Sequence, residues 1–393
     1  MKTIRRTLLA AALSTLLSTL SHVAHAAGMR DETVQVPLRA GLFAVNLTAR
    51  IYTPPGDGPF PLVVINHGKS PGNAAFQNDE SFYGQSLEFV RRGYAVIVPT
   101  REGFGTSGGR YVSDNCNVAD AARHWANSVE AAIGYARTLP YVDSTHIVVI
   151  GQSQGGITTI ALGERNLPGV LGIVNIAGGM RDDKCTGWQE SLVRDYREFG
   201  SRSTVPAIFL YGDNDSYWGN GELSRRFFDA YREGNPNTQY VDEGVAADGN
   251  SHMIFHHYAG ERIWLPPVGR FFESLGLNWR IRYADPHQGK TVAIDNIDIV
   301  PYRDVNPGIG AGMEHFLHAD PRAGRAIAIA PNGHNGFATG KDAQTKAMNF
   351  CTEVNGIGCR LYAIDDQLVD SAMPSPQGDA ALKKTATVAA PGQ

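Results

Sequence analysis

The segment around Ser153 constrains the fold more than any other part of the chain. An apolar run, His146–Ile150, leads into G-Q-S-Q-G-G and then into the helix-compatible stretch Ile157–Glu164. A strand that turns sharply into a helix needs glycines beside the central residue, because its backbone is strained and larger side chains would clash. The pattern therefore predicts a buried strand, a tight turn with Ser153 at its tip, and a helix, which is the geometry of a nucleophile elbow.

Apolar, β-branched runs alternate with longer amphipathic stretches from Thr33 to about residue 280. This alternation is typical of an α/β fold, in which helices cross over a mainly parallel sheet. Several runs are apolar throughout, as strands covered on both faces must be, and the first two predict an antiparallel edge. The predicted strands are Thr33–Leu38, Phe43–Tyr52, Pro61–Asn66, Ala95–Pro99, His146–Ile150, Val170–Ile176, Ala207–Tyr211 and Thr238–Asp242. Helical stripes predict further helices over Ala121–Arg137 and Glu222–Arg232.

A serine hydroxyl with an ordinary pKa is a weak nucleophile, so Ser153 needs a base and an acid that orients the base. At an elbow of this kind the acid follows the serine in the chain and the histidine comes last. Two acids, Asp213 and Asp215, follow the predicted strand Ala207–Tyr211. We predict Asp215 as the acid, since it follows Gly212 at G-x-x-D spacing, and Asp213 remains the alternative.

The base is expected after the last predicted strand, and His252 lies there in a loop of glycine and polar residues. His256 and His257 are its rivals in the same loop. His252 and His256 also stand at i, i+4 spacing, which would suit a metal on a helix, but neither a matching carboxylate nor an HExxH motif accompanies them. We therefore predict His252 as the base and no metal.

Acyl transfer also needs N–H donors aimed at an oxyanion. The backbone N–H of Gln154, next to the serine, supplies one donor at an elbow. The turn after Asn66 reads His67-Gly68-Lys69, and we predict the N–H of Lys69 as the second donor, with His67 ordering the turn. The loop from Arg101 to Gly108 should border the same pocket, as should Trp188, Tyr217 and Trp218.

These segments together resemble the α/β-hydrolase superfamily, over about residues 33 to 280, with the HG turn, the REGFGTSGG loop, the GQSQGG elbow, the GDND loop and the GNSHM loop in sequence order. Within it the chain is most similar to dienelactone hydrolase-like serine esterases and acyl peptidases. Dienelactone hydrolases usually carry cysteine where this chain has Ser153. The resemblance implies a serine hydrolase that cleaves small or polymeric esters, with Ser153, Asp215 and His252 as its triad and no cofactor.

The chain of 393 residues is long enough for one large domain and a small one. Residues 1–26 combine a basic start, a short apolar run and an A-H-A site, and so predict a cleaved signal peptide, a secreted product and no membrane anchor. We expect a catalytic domain over 27–283, a small α+β domain over 290–370 and a disordered tail over 371–393. The 35 basic and 39 acidic residues include no basic cluster, so nucleic acid is not an expected partner.

Four cysteines remain after the predicted signal. In an oxidising compartment an even number is most simply interpreted as disulfides, and pairing within each domain would join Cys116 to Cys185 and Cys351 to Cys359. Free buried thiols are the alternative.

The small domain is predicted to contain the strand Ala326–Ala330, the helix Ala343–Phe350 and the strand Arg360–Ile364. Its expected roles are binding to a surface or polymer, or partly covering the active site. Two other hypotheses stay open for the whole chain, a peptidase with the same chemistry and a non-catalytic binding protein on the same scaffold.

Overall fold

The structure is a computed structural model, and it describes residues 29–40, 43–114, 116–246, 249–256, 260–283, 323–330, 334–354, 356–365 and 367–369, together with 312, 315–316 and 319. The predicted signal peptide, the predicted tail and the rival base His257 lie outside these residues.

An eight-stranded sheet forms the larger part of the fold, in the order β1-β2-β4-β3-β5-β6-β7-β8. β1 pairs antiparallel with β2 and β2 with β4, while the strands from β4 through β3 to β8 run parallel. The predicted α/β sheet with an antiparallel edge is therefore confirmed. The strands are β1 (Arg30–Ala40), β2 (Phe43–Thr53), β3 (Phe60–Asn66), β4 (Ala95–Pro99), β5 (Val142–Gln152), β6 (Val170–Ile176), β7 (Ala207–Tyr211) and β8 (Thr238–Asp242).

Helices cover both faces of this sheet, as its sequence requires. In β3, Leu62 and Val64 belong to one core cluster while Val63 and Ile65 belong to the other, because successive side chains of a strand point to opposite faces. A strand without a polar face must be covered twice. The helices are α1 (Tyr83–Arg91), α2 (Val118–Ala136), α3 (Gln154–Gly163), α4 (Trp188–Arg202), α5 (Glu222–Gly234) and α6 (Glu261–Ser274).

A separate four-stranded antiparallel sheet follows, in the order β10-β9-β11-β12. One helix, α7, packs on it through a small cluster rich in alanine. The sequence anticipated β9, α7 and β11 but not β10 and β12, which are short and contain glycine or polar residues. The elements are β9 (Arg325–Ile329), β10 (Asn335–Thr339), α7 (Ala343–Glu353), β11 (Arg360–Ile364) and β12 (Gln367–Leu368).

Each sheet region contains one disulfide, with Cys116 joined to Cys185 and Cys351 joined to Cys359. The Cα atoms are 5.5 Å and 6.2 Å apart, distances that a disulfide spans. Among the described residues no helix is long and apolar enough to cross a membrane.

Candidate active site

Ser153 lies between β5 and α3, at the edge of the sheet where the parallel strands end. Its φ is 57° and its ψ is −122°, a backbone conformation that is strained for a residue with a side chain. A Cβ atom on Gly151 would lie 2.1 Å from the carbonyl oxygen of Gly155, and one on Gly155 would lie 2.0 Å from that of Asn66. The glycines around the serine are therefore a steric requirement of the turn, as the sequence pattern predicts.

A continuous chain of hydrogen bonds joins Ser153, His252 and Asp215. The His252 Nε2 atom lies 3.0 Å from Ser153 Oγ, and its Nδ1 atom lies 2.9 Å and 3.1 Å from the two carboxylate oxygens of Asp215. The carboxylate can only accept, so Nδ1 carries the proton and Nε2 is left to accept the serine hydroxyl proton. The Asp215 side chain is fully buried, which keeps water from competing for this bond.

The structure brings Asp215 and not Asp213 to the histidine. The loop after β7 closes on itself through mutual backbone hydrogen bonds between Asp215 and Gly219, and this directs the Asp215 side chain inward. Asp213 lies against the Gly221 turn instead. Of the rival bases, His256 contacts the Gln152 side chain with its Nε2 atom, 3.3 Å from Oε1.

Amide side chains, which the sequence analysis missed, hold these loops together. The Gln152 Nε2 atom donates to the His252 backbone carbonyl at 2.9 Å. Asn250 Oδ1 accepts from the backbone N–H of both His252 and Ser216, at 3.2 Å and 3.1 Å, and thereby ties the histidine loop to the acid loop. An asparagine directly before a short helical turn is a recognisable capping signal, whereas the long-range bond to Ser216 leaves no trace in the sequence.

The turn after β3 packs directly against the serine. A Cβ atom on Gly68 would lie 2.7 Å from Gln152 Oε1 and 3.2 Å from Ser153 Cβ, so a larger residue here would have to displace the Gln152 side chain and crowd the serine. The turn thus carries the Gly68–Lys69 peptide, whose N–H is the predicted second oxyanion donor, past the serine. The other predicted donor, the N–H of Gln154, belongs to the first residue of α3, where helix geometry offers it no partner within the helix.

His67 supports this turn and is not positioned to act as a base. Its Nδ1 atom lies 2.7 Å from Gly68 O, and its Nε2 atom accepts from the Arg101 backbone N–H at 3.0 Å. Burial, and then the nearby Arg101 charge, hold the pKa of His67 well below its ordinary value, so the ring stays neutral. The Lys69 ammonium group turns back to donate to the carbonyls of Ser70 and Gly72, at 3.0 Å and 2.9 Å, and burial lowers its pKa.

A cleft of about 330 Å³ opens over Ser153. Tyr217 lines it and lies against the His252 ring, with centroids 4.4 Å apart. Trp188 and Trp218 were also expected to border this cleft, and that prediction is wrong. Trp218 is buried and donates through Nε1 to the Ala177 carbonyl at 2.8 Å, and Trp188 borders a different cavity beside the Cys116–Cys185 disulfide. The lining includes His67, Gly68, Lys69, Phe104, Ser153, Tyr217, His252, Met253 and His256, together with the acid Glu80.

Within the described part of the chain, one group of potential metal ligands lies together, namely Asp114, Asp182 and Cys185. The Cys185 sulfur is bonded to Cys116 and is therefore not available as a thiolate ligand.

The sheet order, the strand–Ser153–helix turn and the converging loops are those of the α/β-hydrolase fold. Residues 41–224 match the family model described as X-Pro dipeptidyl-peptidase (S15 family). This match contains the serine turn and the acid loop but ends before His252.

Among curated proteins, a cocaine esterase from Rhodococcus sp. (strain MB1 Bresler) is 34% identical over 88 residues, which is 22% of this chain and 14% of that protein. The chain therefore matches only a small part of this relative. Among solved structures, a Pyrococcus furiosus esterase has a TM-score of 0.46 at 18% identity, covering 63% of this chain and 93% of its own. A putative dienelactone hydrolase from Klebsiella pneumoniae has a TM-score of 0.44 at 14% identity, and the match covers 63% of this chain and 98% of that protein.

Proposed function

We propose that this protein is a secreted serine hydrolase that cleaves carboxylic esters through an acyl-enzyme on Ser153. The observation that carries the proposal is the buried hydrogen-bond chain from Asp215 through His252 to Ser153. Nucleophile, base and orienting acid stand within hydrogen-bond distance of one another, which is the arrangement that activates a serine hydroxyl.

In the first half of the reaction, Ser153 Oγ attacks the ester carbonyl carbon while His252 Nε2 takes the hydroxyl proton. The imidazolium that forms is stabilised by Asp215. The carbonyl oxygen becomes an oxyanion, and the N–H groups of Gln154 and Lys69 donate to it. The tetrahedral intermediate collapses as the C–O bond to the alcohol breaks, and His252 returns its proton to the departing alcohol oxygen.

In the second half, a water molecule replaces the alcohol. His252 takes a proton from this water as its oxygen attacks the acyl carbon, and a second oxyanion forms at the same donors. Collapse breaks the bond to Ser153 Oγ, which recovers the proton from His252, and the carboxylic acid leaves. The cycle consumes one water and one ester and restores the resting enzyme.

Labelling with a fluorophosphonate, followed by peptide mapping, tests this function together with turnover of p-nitrophenyl esters of increasing chain length. We expect a single adduct on Ser153 and hydrolysis of short esters. Ser153→Ala should abolish the label and lower kcat by at least about 10⁴-fold while the far-UV circular dichroism spectrum is unchanged. A folded protein with neither adduct nor turnover would instead favour a non-catalytic binding protein.

A peptidase is the second candidate, and the match of residues 41–224 to the S15 family favours it. The chemistry is the same, but the leaving group is an amine. Dipeptide Xaa-Pro-p-nitroanilides compared with p-nitrophenyl esters would separate the two. We expect ester cleavage to exceed anilide cleavage in kcat/KM, and a preference for the Xaa-Pro substrate would make the protein a peptidase.

Secretion is proposed from residues 1–26, and the two disulfides support an oxidising compartment. Sequencing the N-terminus of the protein recovered from a bacterial host tests the proposal. We expect a start at Ala27, and a retained Met1 would contradict it.

We also propose that residues 27–283 form the catalytic domain and that 290–370 form a separate small domain.

A further inference from the structure

Arg101 is a fully buried cation directly after β4, in a loop that the sequence analysis interpreted only as a border of the pocket. Its side chain is inaccessible to solvent. Among the described residues, its guanidinium donates only to neutral oxygens. In the part of the chain that the structure describes, no carboxylate forms an ion pair with it. Burial lowers the pKa of Arg101 to about 9, so the group still carries its charge at neutral pH. A buried charge without a counter-charge is costly, and such a group needs a physical reason.

The acceptors of this guanidinium lie on the two segments that carry the proposed oxyanion donors. Nη1 donates to Asn66 Oδ1 at 2.6 Å and to the His67 carbonyl. Nη2 donates to the Gly68 carbonyl at 3.3 Å and to Gln154 Oε1 at 2.6 Å. One planar fork therefore bridges the turn after β3 and the first residue of α3, which a single point charge cannot do.

The bond to Gly68 orients the proposed donor of Lys69. The Gly68 carbonyl and the Lys69 N–H belong to one planar trans peptide, so they point in opposite directions. The Gly68 oxygen is held by Arg101 Nη2 and by His67 Nδ1, at 3.3 Å and 2.7 Å. The Lys69 N–H consequently points away from Arg101. A cationic donor on the carbonyl also polarises the peptide and strengthens its N–H as a donor.

The bond to Gln154 anchors the other donor. Arg101 holds the Gln154 amide oxygen, while the amide nitrogen donates to the Tyr111 hydroxyl at 3.0 Å. Phe104 closes this polar cluster, because its ring lies 5.0 Å from the guanidinium carbon and 4.7 Å from the His67 ring. Both ends of the Gln154 amide are thus used, and the residue beside Ser153 is fixed in one rotamer.

We propose that Arg101 is a positioning residue for the oxyanion hole: its guanidinium aligns the Gly68–Lys69 peptide and Gln154, and its unpaired charge favours the oxyanion over the neutral ester carbonyl. This inference rests on the proposed serine hydrolase function. It predicts an effect on the transition state that exceeds any effect on substrate binding, since the charge on the carbonyl oxygen develops only as Ser153 attacks.

The test compares Arg101→Met and Arg101→Lys with Arg92→Met. Arg92 is the matched control, because it is also buried in the large-sheet region but pairs with Glu88 at 2.6 Å. We expect Arg101→Met to lower kcat on a short p-nitrophenyl ester by about 10- to 100-fold, with KM within about threefold. Arg101→Lys keeps the charge but not the fork and should lie between wild type and Arg101→Met.

Inhibition by a trifluoromethyl ketone, which forms a tetrahedral oxyanion adduct with serine, distinguishes positioning from simple structural support. We expect its affinity for the Arg101 variants to fall by the same factor as kcat, while Arg92→Met keeps both values near wild type even where its Tm falls. Unchanged kcat and inhibitor affinity in the Arg101 variants would overturn the inference. So would losses in Arg92→Met as large as those in Arg101→Met at equal loss of Tm.

Fluorophosphonate labelling separates failure of this inference from failure of the proposed function. If wild type is labelled at Ser153 and Arg101→Met and Arg101→Lys retain full kcat, the inference fails and the function stands. If wild type is neither labelled nor active, the function fails and the inference fails with it. Should Arg101→Met not fold, Arg101→Lys decides by the same two measurements.

Discussion

Different interactions stabilise the two sheets of this protein. The eight-stranded sheet packs large side chains on both faces, including fully buried Trp264 and Phe209. The cluster between the four-stranded sheet and α7 consists mainly of alanines, with the disulfide-bonded Cys351 at its end. Alanine removes little apolar area from water, so each one contributes little free energy. The small sheet therefore depends more on its cross-link, as small folds generally do.

The same comparison explains why a site forms at one sheet. In the parallel part of the large sheet, consecutive strands end at the same edge, so the loops carrying Arg101, Ser153, Asp215 and His252 converge there. In the antiparallel sheet, successive strands end at opposite edges, which separates the loops. The predictions below test this contrast, from the largest expected effect to the smallest.

The first prediction concerns the acid loop. Asp215→Asn should lower kcat by about 10³- to 10⁴-fold, because the amide NH2 can donate to His252 Nδ1 and so favours the tautomer whose proton is on Nε2, which cannot accept from Ser153. Asp213→Asn is the control and should stay within about threefold of wild type. Steady-state ester hydrolysis measures both. Equal losses in the two variants would mean that the loop as a whole matters and that Asp215 has no special role.

The second prediction compares the disulfides. In the chain-entropy model, Cys116→Ser with Cys185→Ser should lower the unfolding free energy by about 4 kcal/mol, since the bridge spans 69 residues. The Cys351–Cys359 bridge spans only 8 residues, so Cys351→Ser with Cys359→Ser should lower the unfolding free energy by about 2 to 3 kcal/mol.

Two probes assign these losses to one sheet or the other. All five tryptophans lie in the large-sheet region, so their fluorescence reports that region alone, while circular dichroism reports both. We expect the second pair of substitutions to shift only the circular dichroism transition and to leave kcat unchanged. A matching fluorescence shift would show that the two sheets unfold as one unit.

The third prediction introduces the same steric clash in each region. A Cβ on Gly155 would lie 2.0 Å from Asn66 O, and one on Gly336 would lie 2.1 Å from Ala347 O. Gly155→Ala should lower stability by about 3 kcal/mol and remove most activity. Gly336→Ala should disturb the packing of α7 and leave kcat unchanged. Gly134→Ala, on the exposed face of α2 with no neighbour within 4 Å, is the control and should stabilise by about 0.5 to 1 kcal/mol.

The fourth prediction concerns a buried acid behind the site. Burial, and then the charge of Asp215, raise the pKa of Glu243 from 4.5 to about 8. The folded state therefore binds the proton more tightly than the unfolded state, and the resulting stability is lost as pH rises from about 5 to about 8. Glu243→Gln should remove part of this dependence, so its free energy of unfolding should fall less over that range, by about 1.4 kcal/mol for each pKa unit of the shift that the substitution removes.

Exposed Glu273→Gln is the control for this titration and should follow the wild-type curve. The pKa of Glu261, also raised to about 8 chiefly by burial, should leave a residual slope in Glu243→Gln that Glu261→Gln removes in turn. Parallel curves for wild type and Glu243→Gln would show that Glu243 does not lose a proton in this pH range.

Much of the large sheet follows from local pattern, because its strands are apolar runs bounded by turns. Helices α1 and α4 were not anticipated. Helix α4 is rich in charged residues, and the hydrophobic stripe that packs it, with Leu192, Tyr196 and Phe199, is narrow. Helix α6 contains Pro266 and Pro267, and from the local sequence these prolines predict that no helix continues through this segment. In these helices tertiary packing outweighs local preference.

The sequence alone determined the elbow at Ser153, because steric strain demands glycines at fixed spacing. It also determined the order along the chain in which the strands and the site loops follow one another. It narrowed the acid to Asp213 or Asp215 and the base to a few histidines of one loop. Only the tertiary structure decided which of them meet, since a hydrogen bond depends on loop closure between residues far apart in the chain. It alone also revealed Arg101 as a buried cation, because burial depends on what packs around a side chain and not on the residue's own polarity.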